Sequence, residues 1–480
     1  MMRKVQPISA SILSQFPAVD EQLVNRLLEQ ELQADSHKII VLDDDPTGVQ
    51  TVHDVSVYTD WSVESIRRGF AEDNRLFYIL TNSRSFTEAQ TTEVHTEIAA
   101  NIEAVARECG RQYLIISRSD STLRGHYPLE TELLARAQKA YRNKSVDGEV
   151  LCPYFKEGGR FTIDNIHYVK YGEELIPAGQ TEFAKDRTFG YQSSDLTDYV
   201  EEKTGGAFSA GDVICISLEK LRACAIDEIE NSLLSAHDFQ KIVVNAVDDC
   251  DVQIFCIALY RAMRKNKTFL FRSAAALVRA IGGISYQPLL TREQMIVREI
   301  SHGGMIVVGS HTQKTTSQLN ALRGMEGLEF IEFNSDLVLD PSAFEQEICR
   351  VVSLSEQCIL KGITVVTYTK RSLLVVENDT KEDALVRSVK ISEAVQSLVG
   401  RLEVTPAFVI AKGGITSSDV GTKALRVKRA NVMGQIRPGI PVWQTGEESK
   451  FPMTPYVIFP GNVGEESTLR EAVDVLLGNV

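Results

Sequence analysis

The sequence lacks any C-x-x-C pair, although it contains eight cysteines among 480 residues. Cysteines paired at short spacing are typical of zinc sites, and regularly spaced cysteines in short secreted chains form disulfide frameworks. Several of the cysteines here stand in apolar, strand-like or helical context. We therefore expect reduced, buried thiols in a cytoplasmic protein, without a disulfide framework or a zinc site.

Long apolar runs and an excess of positive charge are missing as well. No segment approaches the ~18 apolar residues of a membrane-spanning helix, and the N-terminal stretch lacks the apolar centre of a secretory signal. The chain has 51 Lys and Arg against 65 Asp and Glu, a formal net charge of -14. No general attraction to nucleic acids or anionic membranes is expected, so local arginines, backbone amides or a metal ion must hold any anionic ligand.

The length and the repeated order of strand, polar loop and helix predict an α/β protein with two domains. Each domain is expected to be a mostly parallel sheet flanked by helices, with the active site in the interdomain cleft. Residues 282–294 break the periodicity and form the predicted linker, and residues 146–171 predict a loop or hairpin over the sheet edge. The predicted segments are a helical lead-in and two domains, at residues 1–36, 37–285 and 300–480.

The stretch KIIVLDDDPTGVQ, residues 38–50, predicts a buried strand that ends in a tight acidic loop. In α/β folds, ligands bind beyond the carboxyl ends of such strands. The carboxylates of Asp43, Asp44 and Asp45 repel one another, so we expect a cationic or hydroxyl-rich ligand between them. The alternative is a solvated acidic turn.

Two further strand ends of the N-terminal half carry arginines beside other polar residues. The planar fork of arginine suits a carboxylate, and aspartates suit vicinal hydroxyls or act as a general base toward one of them. Each loop alone is compatible with helix capping and ion pairing, but three such loops together predict a pocket for a small polyhydroxy acid. The residues concerned are Asn82, Arg84 and Ser85 in one loop and Arg118, Ser119, Asp120 and Arg124 in the other.

The C-terminal half has neither the G-x-x-x-x-G-K-[ST] motif nor G-x-G-x-x-G after a strand. It does have glycine-rich loops at strand ends: VVGSHT (residues 307–312), VIAKGGITSSD (409–419) and PGNVG (460–464). Free backbone amides at such loops, together with a helix macrodipole, can bind phosphate. One Gly-Gly pair is most often only a close turn, whereas three such loops in one domain predict nucleotide binding.

The motifs DDDPTG, TNSRS, SRSDSTLRGHYPLE, GRFT with a following histidine, AKGGITSSDV and FPGNVG resemble, in this order, the four-carbon acid sugar kinase family. The resemblance spans about residues 38–478, and it implies a substrate-binding domain at residues 37–285 and a nucleotide-binding domain at residues 300–480. Members phosphorylate small sugar acids such as threonate, erythronate and 3-oxo-tetronate with ATP. The resemblance and the loops above imply a substrate site formed by Asp44, Asp45, Arg84, Ser85, Asp120 and Arg124. They imply a nucleotide site at Ser310, Gly413, Gly414, Ile415, Thr416, Gly461 and Asn462, where Ile415 replaces the Glu of shorter members.

The expected mechanism is phosphoryl transfer by positioning and charge neutralisation. Asp45, or next Asp44, would orient or deprotonate the attacking hydroxyl, and Asp120 is a third candidate. Arg84 and Arg124 would hold the substrate carboxylate. Glycine-loop amides and Mg²⁺ would hold the phosphates of ATP, and no protein side chain is assigned to the metal. A homodimer is expected for a metabolic enzyme of this kind.

Two other interpretations stay open from the sequence. The run IIVLDDDPTG also matches the strand and D-x-D-x-T motif of haloacid dehalogenase-type phosphatases, with Asp43 as nucleophile and Asp45 as acid/base. Pro46 is unusual in that motif, and the glycine loops would then have no purpose. The third interpretation is a non-catalytic sugar-acid sensor that kept the fold.

Overall fold

The computed structural model describes residues 5–298, 300–372, 374, 376, 379–461 and 463–479, with the backbone alone at 381, 382 and 385. The chain forms two compact units. The first comprises Met1–Gly48 and Asp60–Tyr286, and the second comprises Val49–Thr59 and Gln287–Val480. The division after Tyr286 falls inside the predicted linker. The segment Val49–Thr59 belongs to the second unit, whereas the sequence prediction included it in the first domain.

The predicted α/β class is confirmed by the secondary structure. Along the chain the strands are β1 (Ile8–Ser9), β2 (Lys38–Asp43), β3 (Val55–Tyr58), β4 (Leu76–Leu80), β5 (Tyr113–Arg118), β6 (Gly148–Cys152), β7 (Arg160–Ile163), β8 (Ile166–Tyr171), β9 (Glu174–Pro177), β10 (Ile214–Ile216), β11 (Gln240–Val244), β12 (Phe269–Ser273), β13 (Met305–Val308), β14 (Leu328–Phe333), β15 (Thr364–Thr369), β16 (Val409–Lys412), β17 (Arg429–Arg437), β18 (Ile440–Thr445) and β19 (Pro455–Phe459).

The helices alternate with these strands over most of the chain. They are α1 (Glu21–Ala34), α2 (Val63–Ala71), α3 (Glu88–Cys109), α4 (Leu129–Arg142), α5 (Leu196–Lys203), α6 (Leu218–Arg222), α7 (Ile226–Ser235), α8 (Asp249–Arg264), α9 (Ala275–Gly282), α10 (Arg292–Met295), α11 (Gln313–Ala321), α12 (Pro341–Leu360), α13 (Lys381–Gly400), α14 (Gly414–Asp419) and α15 (Thr468–Leu477). Among the described residues, no helix is long and apolar enough to cross a membrane.

Local sequence explains where the long helix α3 begins and ends. Thr87 is its N-cap, and a capping box with Gln90 satisfies amide groups of the first turn. Gly110 ends the helix with φ of 63°, a left-handed conformation that glycine adopts without steric cost. Because α3 follows β4 so directly, the loop between them is short and stays at the end of the sheet.

A parallel sheet is the centre of the first unit, in the strand order β10-β11-β6-β12-β5-β2-β4. Every residue of β2, β4 and β5 is buried, as expected for strands covered on both faces. The polar loops that follow these three strands therefore lie at the same edge. A small antiparallel sheet, β1-β9-β8-β7, is separate from it. The stretch predicted as a loop or hairpin thus includes the hairpin β7–β8 and also β6, an interior strand.

The second unit has a mixed sheet. Its strands β19, β16, β13, β15 and β14 are parallel neighbours in that order, and β3, β17, β18 and β19 pair antiparallel. The segment Val49–Thr59 joins this unit because β3 pairs with β17, with Val55 opposite Val432. The glycine loops after β13, β16 and β19 start at the carboxyl ends of adjacent parallel strands.

Candidate functional site

The three aspartates that follow the apolar run of β2 meet three different environments. The carboxylate of Asp43 is buried, and its Oδ1 lies 3.5 Å from Nη1 of Arg118. Asp44 is also buried, and its Oδ2 accepts a hydrogen bond of 2.6 Å from Oγ of Ser119. Asp45 is partly exposed, and its Oδ1 accepts hydrogen bonds from the backbone N and Oγ1 of Thr47, at 2.8 and 2.5 Å. Adjacent residues are thus placed for different tasks.

These environments move the pKa values of the aspartates in opposite directions. Burial raises the pKa of Asp43 well above its ordinary value, against the opposing charge of Arg118. Burial also raises the pKa of Asp44. Burial would raise the pKa of Asp45 too, but the charge of Arg84 and the hydrogen bonds from Thr47 lower it overall. Asp45 is therefore the aspartate of this loop that is most readily ionised.

Arg84 connects the acidic loop to the loop after β5. Its Nη2 lies 2.5 Å from Oδ2 of Asp45 and 3.7 Å from Oδ1 of Asp44, and its Nη1 lies 3.5 Å from Oδ1 of Asp120. The arginine sits in a short 3₁₀ turn, Ser83–Ser85, directly after β4. Three of the predicted substrate residues are thus gathered around one guanidinium group.

Ser85 makes a hydrogen bond within its own turn. Its side chain is exposed, and its Oγ donates to the carbonyl oxygen of Asn82 at 2.8 Å. Asn82 itself has a φ of 55°, which lets the chain turn sharply after β4. The two residues shape the turn that carries Arg84.

Asp120 and Arg124 form an ion pair within the third loop. Nε of Arg124 lies 2.6 Å from Oδ2 of Asp120, and the guanidinium carbon of Arg124 lies 5.1 Å from the ring centre of Phe183. Burial would raise the pKa of Asp120, but the charges of Arg124 and Arg84 lower it well below its usual range. Asp120 therefore stays ionised at neutral pH, like Asp45.

A second layer of polar side chains, which the sequence analysis missed, supports these loops. Arg272, at the end of β12, donates to Oε2 of Glu130 at 3.1 Å and to the carbonyl oxygen of Arg124 at 2.9 Å. Oε1 of Glu130 accepts a hydrogen bond of 2.6 Å from Oγ of Ser83. The sequence could have indicated Arg272, because this polar residue stands near the end of an apolar strand. Polar residues also stand at or directly after the ends of β2, β4 and β5.

Three glycine loops of the second unit come close together. A Cβ placed on Gly413 would lie 3.2 Å from Cβ of Ser310, and one placed on Gly461 would lie 3.9 Å from Oγ of Ser310. Gly413 has a φ of 123°, a conformation that disfavours other residues. The structure thus brings together Ser310, Gly413 and Gly461, as expected for adjacent parallel strands. The predicted residue Asn462 lies outside the described residues.

The remaining predicted residues of these loops have different positions. Thr416 is buried against Gly309, where a Cβ would lie 2.3 Å from Oγ1 of Thr416. Gly414 begins α14, and Ile415, the next residue, is 72% exposed. Oγ1 of Thr315, a residue outside the predicted set, lies 3.1 Å from Oγ of Ser310 and 3.3 Å from the carbonyl oxygen of Gly461, and donates its one proton to one of these two oxygens.

A buried lysine lies beneath the glycine loops. Nζ of Lys412 donates to the carbonyl oxygens of Pro460 and Gly461, at 2.5 and 3.2 Å. Burial, together with the nearby charge of Lys314, lowers the pKa of Lys412 to about 7. The lysine belongs to the quoted motif AKGGITSSDV, but its burial was not evident from the sequence. Its hydrogen bonds connect the end of β16 to the loop after β19.

Two models of known domain families match the chain, one on either side of the division after Tyr286. Residues 39–281 match the model of a sugar-binding N-terminal domain, and residues 305–469 match the model of a nucleotide-binding C-terminal domain. The first match alone covers just over half of the chain. The chain belongs to the four-carbon acid sugar kinase family. The protein thus has a sugar-binding domain followed by a nucleotide-binding domain.

Solved structures share the fold of this family member at low sequence identity. A proposed tRNA synthase from Salmonella typhimurium LT2 is 15% identical, with a TM-score of 0.63, over 90% of this chain and 98% of that one. Haemophilus influenzae protein HI1011 is 16% identical, with a TM-score of 0.59, over 91% of this chain and 100% of that one. At such identities the likeness concerns the fold alone. No curated protein matches the chain at a significant level.

Proposed function

We propose that the protein transfers a phosphoryl group from ATP to a hydroxyl of a four-carbon sugar acid, such as threonate, erythronate or a 3-oxo-tetronate. The observation that carries the proposal is the pair of ionised carboxylates, Asp45 and Asp120, held on either side of Arg84 at the edge of a sugar-binding domain. Two fixed carboxylates accept hydrogen bonds from neighbouring hydroxyls of one small substrate. A nucleotide-binding domain in the same chain supports ATP as the donor.

Asp45 is the residue best suited to the attacking hydroxyl. Its side chain is 20% exposed, whereas that of Asp44 is only 2% exposed. Its lowered pKa keeps the carboxylate ionised. Oδ1 already accepts two hydrogen bonds from Thr47, whereas Oδ2 faces only Arg84 and retains a lone pair for a substrate hydroxyl. Phosphoryl transfer depends on orienting the nucleophile more than on a strong base. Asp45 thus accepts the hydroxyl proton, and Asp44 holds the loop through Ser119.

In the second unit, the close approach of the loops at Ser310, Gly413 and Gly461 leaves space that a side chain at either glycine would fill. Backbone amides and the hydroxyl of Ser310 are the groups that would contact the phosphates of ATP. Within the described parts of the chain there is no cluster of three or more His, Cys, Asp or Glu that could hold a metal ion. Mg²⁺ would be held mainly by the phosphates and water, as is common for this ion.

The phosphatase interpretation requires an exposed, ionised Asp43 as nucleophile. In the structure Asp43 is buried, its pKa is raised and its carboxylate packs against Gly48. That position does not suit attack on a phosphate ester. Asp45 therefore serves better as the acceptor of a substrate hydroxyl than as the acid/base partner of Asp43.

The test is a panel of four-carbon acids, each incubated with ATP and Mg²⁺ while ADP formation is followed. We expect at least one acid to cause ADP formation, and Asp45→Asn to lower kcat by about 10²- to 10⁴-fold while ADP affinity stays unchanged. Asp238→Asn, at a carboxylate 93% exposed, is the matched control. If none of the acids causes ADP formation, the kinase proposal is contradicted. Release of phosphate from a substrate without ATP would favour the phosphatase.

A further inference from the structure

Arg160, at the first position of β7, is a charged side chain that forms no ion pair with a carboxylate among the described residues. Its Nε is shielded from solvent and has no hydrogen-bond partner. Its Nη1 donates to the carbonyl oxygen of Gly158, a neutral group. No carboxylate in the described part of the chain forms an ion pair with it. Since a shielded guanidinium normally has an anionic partner, this position suggests that the partner is a ligand.

The local chain is shaped to hold Arg160 in this place. Its backbone exchanges two hydrogen bonds with Phe155, of 3.1 and 2.9 Å, which close the turn between them. A Cβ on Gly158 would lie 2.5 Å from Nη1 of Arg160 and 2.4 Å from Cδ1 of Phe155. Glycine at this position therefore leaves the space that the guanidinium group occupies. The direction of the arginine is a consequence of the fold of the turn.

A second arginine lies beside the same aromatic ring. The guanidinium carbons of Arg160 and Arg124 lie 5.6 and 5.1 Å from the ring centre of Phe183. Arg124 uses its Nε for Asp120, while its Nη1 remains 3.8 Å from Oδ2 of Asp186, beyond hydrogen-bond distance. Two guanidinium groups thus approach one ring with donors that are not fully used.

Burial of the Arg160 guanidinium favours an added anion beside it. Burial lowers the pKa of Arg160, and the positive charge of Arg124 acts in the same direction, while Asp120 and Glu182 oppose it. A guanidinium group stays charged at neutral pH in spite of such a shift. An added carboxylate would offset the burial of this guanidinium, which is the largest of these effects.

Arg84, the other arginine expected to bind the substrate carboxylate, is already surrounded by acids. It faces Asp45, Asp44 and Asp120 at 2.5 to 3.7 Å. A substrate carboxylate at this position would meet three protein carboxylates. Arg84 is therefore better suited to fixing the acids that face the hydroxyls.

We infer that Arg160 and Arg124 form an anion subsite beside Phe183, which binds the carboxylate of the sugar acid. The inference rests on the proposed function and deepens it by placing the two ends of the substrate. The carboxylate lies against Arg160 and Arg124, while the hydroxyls lie toward Asp120 and Asp45. Arg160 is thus a determinant of specificity for acids over neutral polyols of the same length.

The experiment measures binding without nucleotide, by titration calorimetry, of threonate, erythronate and the neutral polyols threitol and erythritol. We expect wild-type protein to prefer an acid over its polyol. Arg160→Met should weaken acid binding by about 10- to 100-fold with little effect on the polyol, and Arg160→Lys should restore part of the preference. Arg136→Met, at an arginine 73% exposed on α4, is the matched control and should bind like wild type.

Each outcome of the titration decides a separate question. ADP affinity and thermal unfolding of Arg160→Met should match wild type, which separates the loss of a subsite from a loss of folding. Wild-type preference that persists in Arg160→Met would overturn the subsite and leave the proposed kinase intact. Wild-type protein that binds none of the acids would overturn the proposed function and the subsite together. An equal loss of acid and polyol binding would show that Arg160 only shapes the loop.

Discussion

The carboxylate of Asp43 occupies the space where a side chain at residue 48 would stand. A Cβ on Gly48 would lie 1.9 Å from Oδ2 and 2.0 Å from Oδ1 of Asp43. The backbone N of Gly48 also donates to the carbonyl oxygen of Asp45 at 3.0 Å. The turn that follows β2 therefore closes tightly around a buried acid, and this closure fixes where Asp45 points.

We expect Gly48→Ala to displace the acidic loop. The added methyl group cannot coexist with the Asp43 carboxylate at these distances, so the first unit should lose about 1–3 kcal/mol of unfolding free energy. Sugar-acid binding should weaken, because the position of Asp45 depends on the same turn. Urea denaturation at neutral pH and calorimetric titration measure the two effects. Gly211→Ala is the control, since a Cβ there meets no atom closer than 3.8 Å; equal stability of both variants would contradict the prediction.

His167 should make the first unit less stable as the pH falls. Its Nε2 lies 2.7 Å from the carbonyl oxygen of Ser121, and its Nδ1 lies 3.0 Å from Oγ1 of Thr162. Because a carbonyl only accepts, Nε2 carries the proton and Nδ1 accepts from the hydroxyl. Burial lowers the pKa of His167 from 6.5 to about 4. Between pH 6.5 and about pH 4, the unfolded chain therefore binds a proton at His167, whereas the native protein does not.

The resulting stability is complete above pH 6.5 and is lost as the pH falls toward about 4. The His167 contribution should decrease by about 2 kcal/mol between about pH 7.5 and about pH 5. Urea denaturation across this range should show a weaker pH dependence for His167→Gln than for wild type. His237→Gln, at a side chain 72% exposed, should leave the dependence unchanged. A pH dependence in His167→Gln as steep as that of wild type would exclude the buried neutral imidazole as its source.

Part of the site could be predicted because it depends on strand ends. The apolar runs of β2, β4 and β5 end at Asp43, Leu80 and Arg118, and each is followed by polar residues. Parallel pairing of such runs brings their loops to one edge without further information. The sequence therefore sufficed to group the acidic loop with the loops that carry Arg84 and Asp120.

Elements that depend on distant partners could not be predicted. Strand β6 contains Glu149, a charge that locally argues against an interior strand, but its carboxylate pairs with Lys241, 92 residues later, and both are fully buried. Segment Val49–Thr59 follows the acidic loop directly, yet β3 pairs with β17. No local pattern indicates either partnership.

Individual contacts were equally inaccessible to sequence reasoning. The sequence predicts that Arg84 binds the substrate carboxylate. Only the geometry shows that three aspartates already surround Arg84. Arg160 lies within the quoted GRFT motif without a predicted role, because only the folded turn shows that no carboxylate of the described residues forms an ion pair with it. Spacing along the chain predicts which loops meet, whereas the pairing of charges inside the site depends on side-chain directions.

Lys412 should take up a proton when ADP binds. Its Nζ donates to the carbonyl oxygens of Pro460 and Gly461, and burial lowers its pKa to about 7. Phosphates held by the adjacent loops would favour the charged form, so at about pH 8 binding should raise its protonation. Calorimetric titration of ADP in two buffers of different ionisation enthalpy measures the protons taken up. We expect uptake in wild type and in Lys361→Met, at an exposed lysine, and none in Lys412→Met; identical proton counts for the three proteins would contradict a role for Lys412.

Gly413→Ala should lower the free energy of ADP binding by more than it lowers the unfolding free energy of the second unit. Gly413 has a φ of 123°, and a Cβ there would lie 3.2 Å from Cβ of Ser310 and 3.3 Å from Oγ1 of Thr416. The substitution therefore strains the backbone and also pushes on two residues of the proposed phosphate site. We expect ADP affinity to fall by at least about 10-fold, while sugar-acid binding without nucleotide stays unchanged.

Gly324→Ala separates backbone strain from the displacement of the proposed phosphate site, because this substitution causes only the strain. Gly324 has a φ of 86°, and a Cβ there meets no atom within 4 Å. Its strain should lower the unfolding free energy of the second unit, by about 1 kcal/mol or more, without changing ADP affinity. Denaturation and ADP titration of both variants give the comparison. A common loss of ADP affinity would assign the effect to backbone strain in general, whereas a loss confined to Gly413→Ala places the phosphates at the loop that this glycine forms with Ser310 and Gly461.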